Sequence, residues 1–201
     1  VKKIPTLFRR DPEDMRKVTR EVHPDCQWVL DGEGAPTRKY DGTCVMFDGQ
    51  NWWARREVKP GKPAPAEFRA EQTDELTGKT VGWEPMAQSS FAKYHAAAIA
   101  NEAIMDHPHW GQPQQGATYE LIGPKVNGNP EEVDEHILVR HGYWAAVDAE
   151  ETRRLELDFD GLLRWLLAHP RWEGIVWHHP DGRMAKLKWR DATATVGGES
   201  A

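Results

Sequence analysis

Short apolar runs broken by Gly- and Pro-rich turns recur along the chain, and this punctuation restricts its fold more than any other feature. Residues 27–30, 44–47 (before Asp48-Gly49), 52–58, 118–122 and 137–147 read as strands. Residues 174–177 and 184–189 read as a strand pair turning at Asp181-Gly182. Gly34-Ala35-Pro36 reads as a tight turn, and the proline-dense stretch 60–65 as a loop, because it cannot sustain a sheet ladder. Helices are expected over 12–22, opened by Asp11, Pro12, Glu13 and Asp14, over the Ala-rich 89–106, and over 160–168. No strand–helix–strand alternation is present. The expected class is therefore α+β, with mostly antiparallel β-sheets and flanking helices, rather than a doubly wound fold.

At 201 residues the chain fits one ordinary domain spanning 1–201. A net charge of −6 gives a field that repels polyanions, so any nucleic-acid contact must come from a local basic patch. Cys26 and Cys44 are too few for a disulfide framework and lack the spacing of a zinc site; both are expected to be core thiols in a reducing compartment. No apolar run reaches the length of a membrane span and no leader is evident, which predicts a cytoplasmic protein without a membrane partner. The ten tryptophans should be mostly core or half-buried. The Gly197–Ala201 end reads as frayed.

Chemistry concentrates at Lys39-Tyr40-Asp41-Gly42. Alone, this string reads equally well as an Asp-Gly turn beside an exposed lysine. It is followed in order by Arg55-Arg56, Tyr119-Glu120-Leu121-Ile122-Gly123, Glu173-Gly174-Ile175-Val176 and Lys186-Leu187-Lys188. This series resembles the covalent nucleotidyltransferase superfamily of ATP-dependent ligases and capping enzymes over nearly the whole chain. Within it, Lys2-Lys3-Ile4-Pro5-Thr6-Leu7-Phe8, the run from Glu120 to Pro130, and Lys186 to Asp191 look like a small, compact RNA ligase family. The resemblance implies an adenylation domain of the ATP-grasp/ligase type.

What it implies for single residues follows the needs of nucleotidyl transfer, in which positioning and charge limit the rate. Lys39 would be the nucleophile, carrying AMP as a phosphoramidate, with Asp41 orienting the amine or a neighbouring group and Gly42 letting the backbone turn tightly near the nucleotide. Lys186 and Lys188, two apart on a strand, share a face and would meet the α-phosphate. Glu120 would bind the ribose and, with Glu173, hold magnesium (or manganese). Arg55 is preferred over Arg56 for the sugar or a phosphate; Arg56 would pair with Glu57 or meet the substrate strand. Adenine would lie against Tyr143 or Trp144, Trp144 being taken into the site, with Thr37 and Arg38 reading its edge. The implied substrates are ATP and RNA with 5′-phosphate and 3′-hydroxyl ends.

The His107-Pro108-His109 and His178-His179 strings lack a third ligand at zinc-like spacing and read as turn or surface residues. Lys125, Asn127 and Asn129 read as turn geometry with a phosphate contact as the alternative, and the acids at 131–135 as solvated surface. A DNA ligase or a GTP-using capping enzyme is the rival enzyme, but either would be expected to carry an OB domain after the last lysine pair, where only about a dozen residues follow. A nucleotide- or RNA-binding module that seals nothing is the rival of another class.

Overall fold

The computed structural model describes residues 3–101, 113–142 and 146–197. In chain order the described elements are β1 (Phe8–Arg10), β2 (Val18–Val22), α1 (Gln27–Leu30), β3 (Ala35–Lys39), β4 (Thr43–Phe47), β5 (Trp52–Val58), β6 (Arg69–Thr73), β7 (Thr80–Pro85), α2 (Ala92–Ala100), β8 (Thr118–Ile122), β9 (Ile137–Arg140), α3 (Ala146–Thr152), α4 (Phe159–Ala168), β10 (Gly174–His178), β11 (Met184–Lys188) and α5 (Trp189–Gly197). All named strand pairings are antiparallel, as the α+β expectation required. No described helix is long and apolar enough to cross a membrane. The chain divides into two compact units, one of Val1–Lys3 with Asp41–Tyr143, the other of Ile4–Tyr40 with Trp144–Ala201.

The first unit is a six-stranded sheet in the order β6-β7-β5-β4-β8-β9. Alternate residues of its central strands, Val45, Ala54, Tyr119 and Leu121, pack with Ala98 of α2 and Met86 to form its core. Strands β6 and β7 carry no clear alternating signal. The first is exposed throughout, and the second contains Gly82, whose place a Cβ would fill at 2.6 Å from the Phe68 ring.

The second unit pairs the hairpin β1–β2 with a three-stranded sheet in the order β11-β10-β3. Leu7 N–H donates to the Lys186 carbonyl and Lys186 N–H to the Pro5 carbonyl, so the N-terminal segment runs alongside β11. Beneath this sheet lie Leu7, Phe8, Trp28, Val29, Ile175, Trp177 and Leu187, closed by Leu162 and Leu166 of α4. Asp158 caps α4 by accepting the Gly161 N–H at 2.8 Å. Trp28, Trp53, Trp83, Trp172 and Trp177 are buried, in keeping with the aromatic load.

Several local expectations are corrected. Residues 12–22 are a turn and strand β2: Asp11 accepts from Glu13 N–H and Asp14 from Arg16 N–H, closing tight turns instead of capping a helix, and β-branched Val18, Thr19 and Val22 suit pairing with β1. Residues 27–30 are helical because Pro24 starts a 3₁₀ turn, capped by the His23 ring, that leads directly into α1. Ala35 and Pro36 belong to β3, where Pro36 sits opposite Trp177. The strand expected over 137–147 stops at Arg140, and α3 begins at Ala146. The Ala-rich helix covers Ala92–Ala100; residues 102–106 of that expectation lie outside the described residues. Trp189 opens a C-terminal helix that reaches Gly197.

Candidate functional site

Register builds the first cluster, entirely within the second unit. Gly174 of β10 sits opposite Lys39 on one side and Lys188 on the other, while Val176 sits opposite Thr37 and Lys186. Paired residues on antiparallel strands share a face, so Lys39, Lys186 and Lys188 project together, and Ile175 and Leu187 point the other way into the core. Gly174 is required by close approach: a Cβ there would lie 2.7 Å from the Lys188 Cα and closer still to the Leu187 carbonyl oxygen. The Lys39 Nζ donates to Glu173 Oε2 at 2.6 Å, and Lys188 Nζ donates to Glu173 Oε1. One carboxylate therefore balances two ammonium groups. Burial pushes the Glu173 carboxyl up, but the Lys39 charge and the bonds from both lysines outweigh it and hold the group below its ordinary value.

Lys186 is different. No carboxylate pairs with it among the described residues, and burial together with the charges of Lys188 and Lys39 lowers its pKa to about 8. In the unfolded chain the same group stays protonated up to about 10.5. Between those limits the unfolded chain holds the extra proton, so this lysine opposes folding fully below pH 8 and progressively less as pH rises toward 10.5. A Lys186→Met variant should therefore melt a few degrees higher near pH 7 and lose the stabilisation that wild type gains from pH about 8 upward. Thermal melts of both proteins across that window check this; a variant that melts lower than wild type near pH 7 contradicts it.

Asp191 fixes the backbone beside these lysines. It is 1% exposed, accepts the Lys188 N–H at 3.0 Å from the first turn of α5, and pairs with Arg10 at 2.8 Å.

The second cluster belongs to the first unit. Glu120 of β8 faces Cys44 of β4 across the ladder; its Oε1 accepts the Gly42 N–H at 3.1 Å and its Oε2 lies 3.0 Å from His141 Nε2. The Asp41-Gly42 backbone is held from a distant loop. Asn127 Nδ2 donates to Asp41 Oδ1 at 3.1 Å and to the Gly42 carbonyl at 2.6 Å, and Glu131 Oε1 accepts the Asp41 N–H at 2.8 Å. Asn127 does this from a left-handed backbone with φ of 47°, which asparagine tolerates better than most residues. One expectation changes here: Glu131 is a backbone anchor and not solvated surface. Gly42 is needed because a Cβ would meet the Ile122 side chain at 2.8 Å and the Leu121 carbonyl group. Asn127→Ala should cost about 2 kcal/mol, roughly one per lost hydrogen bond, and slow any chemistry at Lys39, two residues before Asp41 in the chain, roughly tenfold through misplacement of that segment. Urea unfolding and single-turnover rates check the two parts separately.

The remaining expected site residues divide between the two units, Thr37 and Arg38 in the second and Arg55 in the first. Thr37 is buried, with its hydroxyl donated to the Val176 carbonyl at 3.1 Å. Arg38 lies over the rings of Tyr40 and Trp172 at 4.8 and 5.5 Å and donates to the Arg171 carbonyl at 3.0 Å. By strand alternation it points away from Lys39. Arg55 is half-buried on β5. Arg56 approaches Glu84 at 3.8 Å rather than Glu57, which pairs with Lys79. Tyr143, Trp144 and the His107-Pro108-His109 string lie outside the described residues. His179 joins a surface network with Glu33 and Asp181, in line with turn chemistry. Cys26 is a core thiol pushed up to about 11 by burial, whereas Cys44 is only half-buried and borders Glu120, so the core expectation fails for it. Glu131 and His141 were not picked out as site residues by the sequence, Asn127 was read as turn geometry with a phosphate contact as the alternative, and Asp191 entered only as the end of the Lys186–Asp191 run.

The RNA ligase 1 family profile matches residues 110–193, the stretch that contains Glu120, Glu173, Lys186, Lys188 and Asp191. The chain is similar to the RNA ligase 1 family. Its relatives include RNA ligase 1 of Pongo abelii, 26% identical over 76% of this chain and 65% of the relative, and of Rattus norvegicus, 27% identical over 75% and 65%. RNA ligase 1 of Danio rerio is 25% identical over 92% of this chain and 78% of the relative. The chain spans 65% of the length of the first two RNA ligase 1 relatives.

Proposed function

We propose that the chain is an ATP-dependent RNA ligase that works through a Lys39–AMP intermediate. The observation that carries this reading is the convergence of Lys39, Glu173, Lys186 and Lys188 on one face of the β3-β10-β11 sheet. Three lysines and one carboxylate leave an excess of positive charge, which suits a triphosphate. With Lys39 held by Glu173, the pair must open and the amine must pass a proton to solvent before it can attack.

The neutral Lys39 nitrogen then bonds to the α-phosphorus as the bond to pyrophosphate breaks, and the amine gives up its remaining extra proton. Lys186 and Lys188 balance the charge that develops on the phosphoryl oxygens. In the second step an oxygen of the RNA 5′-phosphate takes the AMP and Lys39 regains its proton. In the third, a 3′-hydroxyl attacks the activated 5′-phosphate, forming the phosphodiester and releasing AMP. Glu173 offers the hard oxygen donors that magnesium or manganese prefers. Such an ion supplies charge neutralisation at the phosphates when bound. Glu120 is assigned the ribose hydroxyls; Gly42, which it holds, lies three residues from Lys39 in the chain.

The test is a joining assay with 5′-phosphorylated, 3′-hydroxyl RNA and the matching DNA, with ATP, GTP or NAD as the nucleotide. ATP-dependent joining of RNA is the expected result. Joining of DNA alone, or use of GTP in place of ATP, contradicts it, and nucleotide binding without any joining makes the chain a binding module.

A further inference from the structure

We propose that Cys44, Glu120 and His141 form a binding site for a thiophilic divalent ion of the zinc class, distinct from the magnesium that Glu173 would hold. Three strands create the cluster. Cys44 of β4 and Glu120 of β8 are direct partners across the ladder, so their side chains stand side by side on one face. The His141 N–H donates to the Thr118 carbonyl at 3.0 Å, which carries the β8–β9 ladder one residue further and places the imidazole on the same face as Thr118 and Glu120. One donor atom from each of Cys44, Glu120 and His141 lies within 4.8 Å of the other two. Tetrahedral zinc, with bonds of about 2.0–2.3 Å, needs donors roughly 3.3–3.7 Å apart. The Glu120 and His141 donors already stand 3.0 Å apart.

The surroundings also fit. Metal-bound histidines are generally oriented by a hydrogen bond to the second ring nitrogen, and His141 Nδ1 lies 2.9 Å from the Thr118 hydroxyl while Nε2 faces Glu120 at 3.0 Å. The Gly42 N–H fixes Glu120 Oε1 and leaves Oε2 toward the imidazole. A sulfur, an imidazole nitrogen and one carboxylate oxygen select zinc-like ions over magnesium, and three protein ligands leave a fourth position for water or an incoming ligand. Binding replaces the thiol S–H bond with a sulfur–metal bond and releases one proton to solvent. The consequence for activity rests on the proposed function: an ion held by Glu120 competes with the sugar hydroxyls assigned to the same carboxylate, so such ions would inhibit adenylation.

Cobalt(II), titrated into the intact chain without nucleotide, reports the site directly. A thiolate-to-cobalt band that saturates at one ion per chain, disappears in Cys44→Ser, survives in Cys26→Ala and requires roughly tenfold or more cobalt in His141→Gln supports the proposal. Absence of the band in wild type, or an unchanged band in Cys44→Ser or His141→Gln, overturns it. Labelling by ATP in excess magnesium, with and without zinc, then tests the consequence. Zinc should slow labelling of wild type and not of Cys44→Ser. Wild-type labelling that zinc leaves unchanged while the cobalt band is intact removes Glu120 from the sugar and leaves the ion site standing.

Discussion

Replacing Lys39 with alanine should lower covalent labelling from α-labelled ATP by more than about 1,000-fold, because no other group then supplies the nitrogen that bonds to phosphorus. The fold should survive. Glu173 keeps its partner Lys188, so the cost of losing one lysine from this half-buried set is about 1 kcal/mol, a small part of a domain's stability. Lys39→Arg makes the argument sharper, since it retains the positive charge beside Glu173 but not a nucleophilic amine. Both variants should fail equally in a gel-based labelling assay while melting close to wild type. Labelling of the arginine variant at a tenth of the wild-type rate or better would transfer the nucleophile to another lysine.

Gly174→Ala is expected to have the largest effect on stability. The added Cβ enters the space of the Leu187 carbonyl and lies 2.7 Å from the Lys188 Cα, both backbone atoms of the paired strand, so no side chain can rotate away to relieve it. Overpacking of this kind costs about 3 kcal/mol, which lowers the melting midpoint by roughly 6–12 °C in a chain of this size. Because the same displacement separates Lys188 from Lys39 across β10, labelling should fall with stability even at temperatures where the variant is folded. Gly197→Ala, at a position with open space around its Cβ, should stay within about 0.5 kcal/mol of wild type. A Gly174→Ala protein that melts like Gly197→Ala would show that strand spacing there is adjustable.

The contrast between these residues and the ones missed shows what a linear reading can reach. Lys186 and Lys188 were legible because residues two apart on a strand share a face whatever their surroundings, and Gly174 opened an expected strand in the Glu173-Gly174-Ile175-Val176 string. The pairing of β10 with β3, which brings Glu173 to Lys39, joins residues 134 apart and has no local signature. Asn127 reaches Asp41 from 86 residues away, and its local sequence shows only a turn-former. Asp191 ended the Lys186–Asp191 run without a role of its own until burial and the Arg10 contact gave it one. Around residues 12–22 the local signals were real but answered a different demand: the acids close turns, and pairing with β1 decides the rest. Cys44 and His141 carry no recognisable ligand spacing because the sheet, and not the sequence, makes them neighbours.

The most direct test of the central claim is a fragment mass spectrum of the intact chain after incubation with ATP and magnesium. The account predicts a single AMP adduct, lost in acid as phosphoramidates are, on the peptide that contains Lys39. An adduct on Lys186 or Lys188, or an unmodified Lys39 in a protein that nevertheless joins RNA, would contradict it.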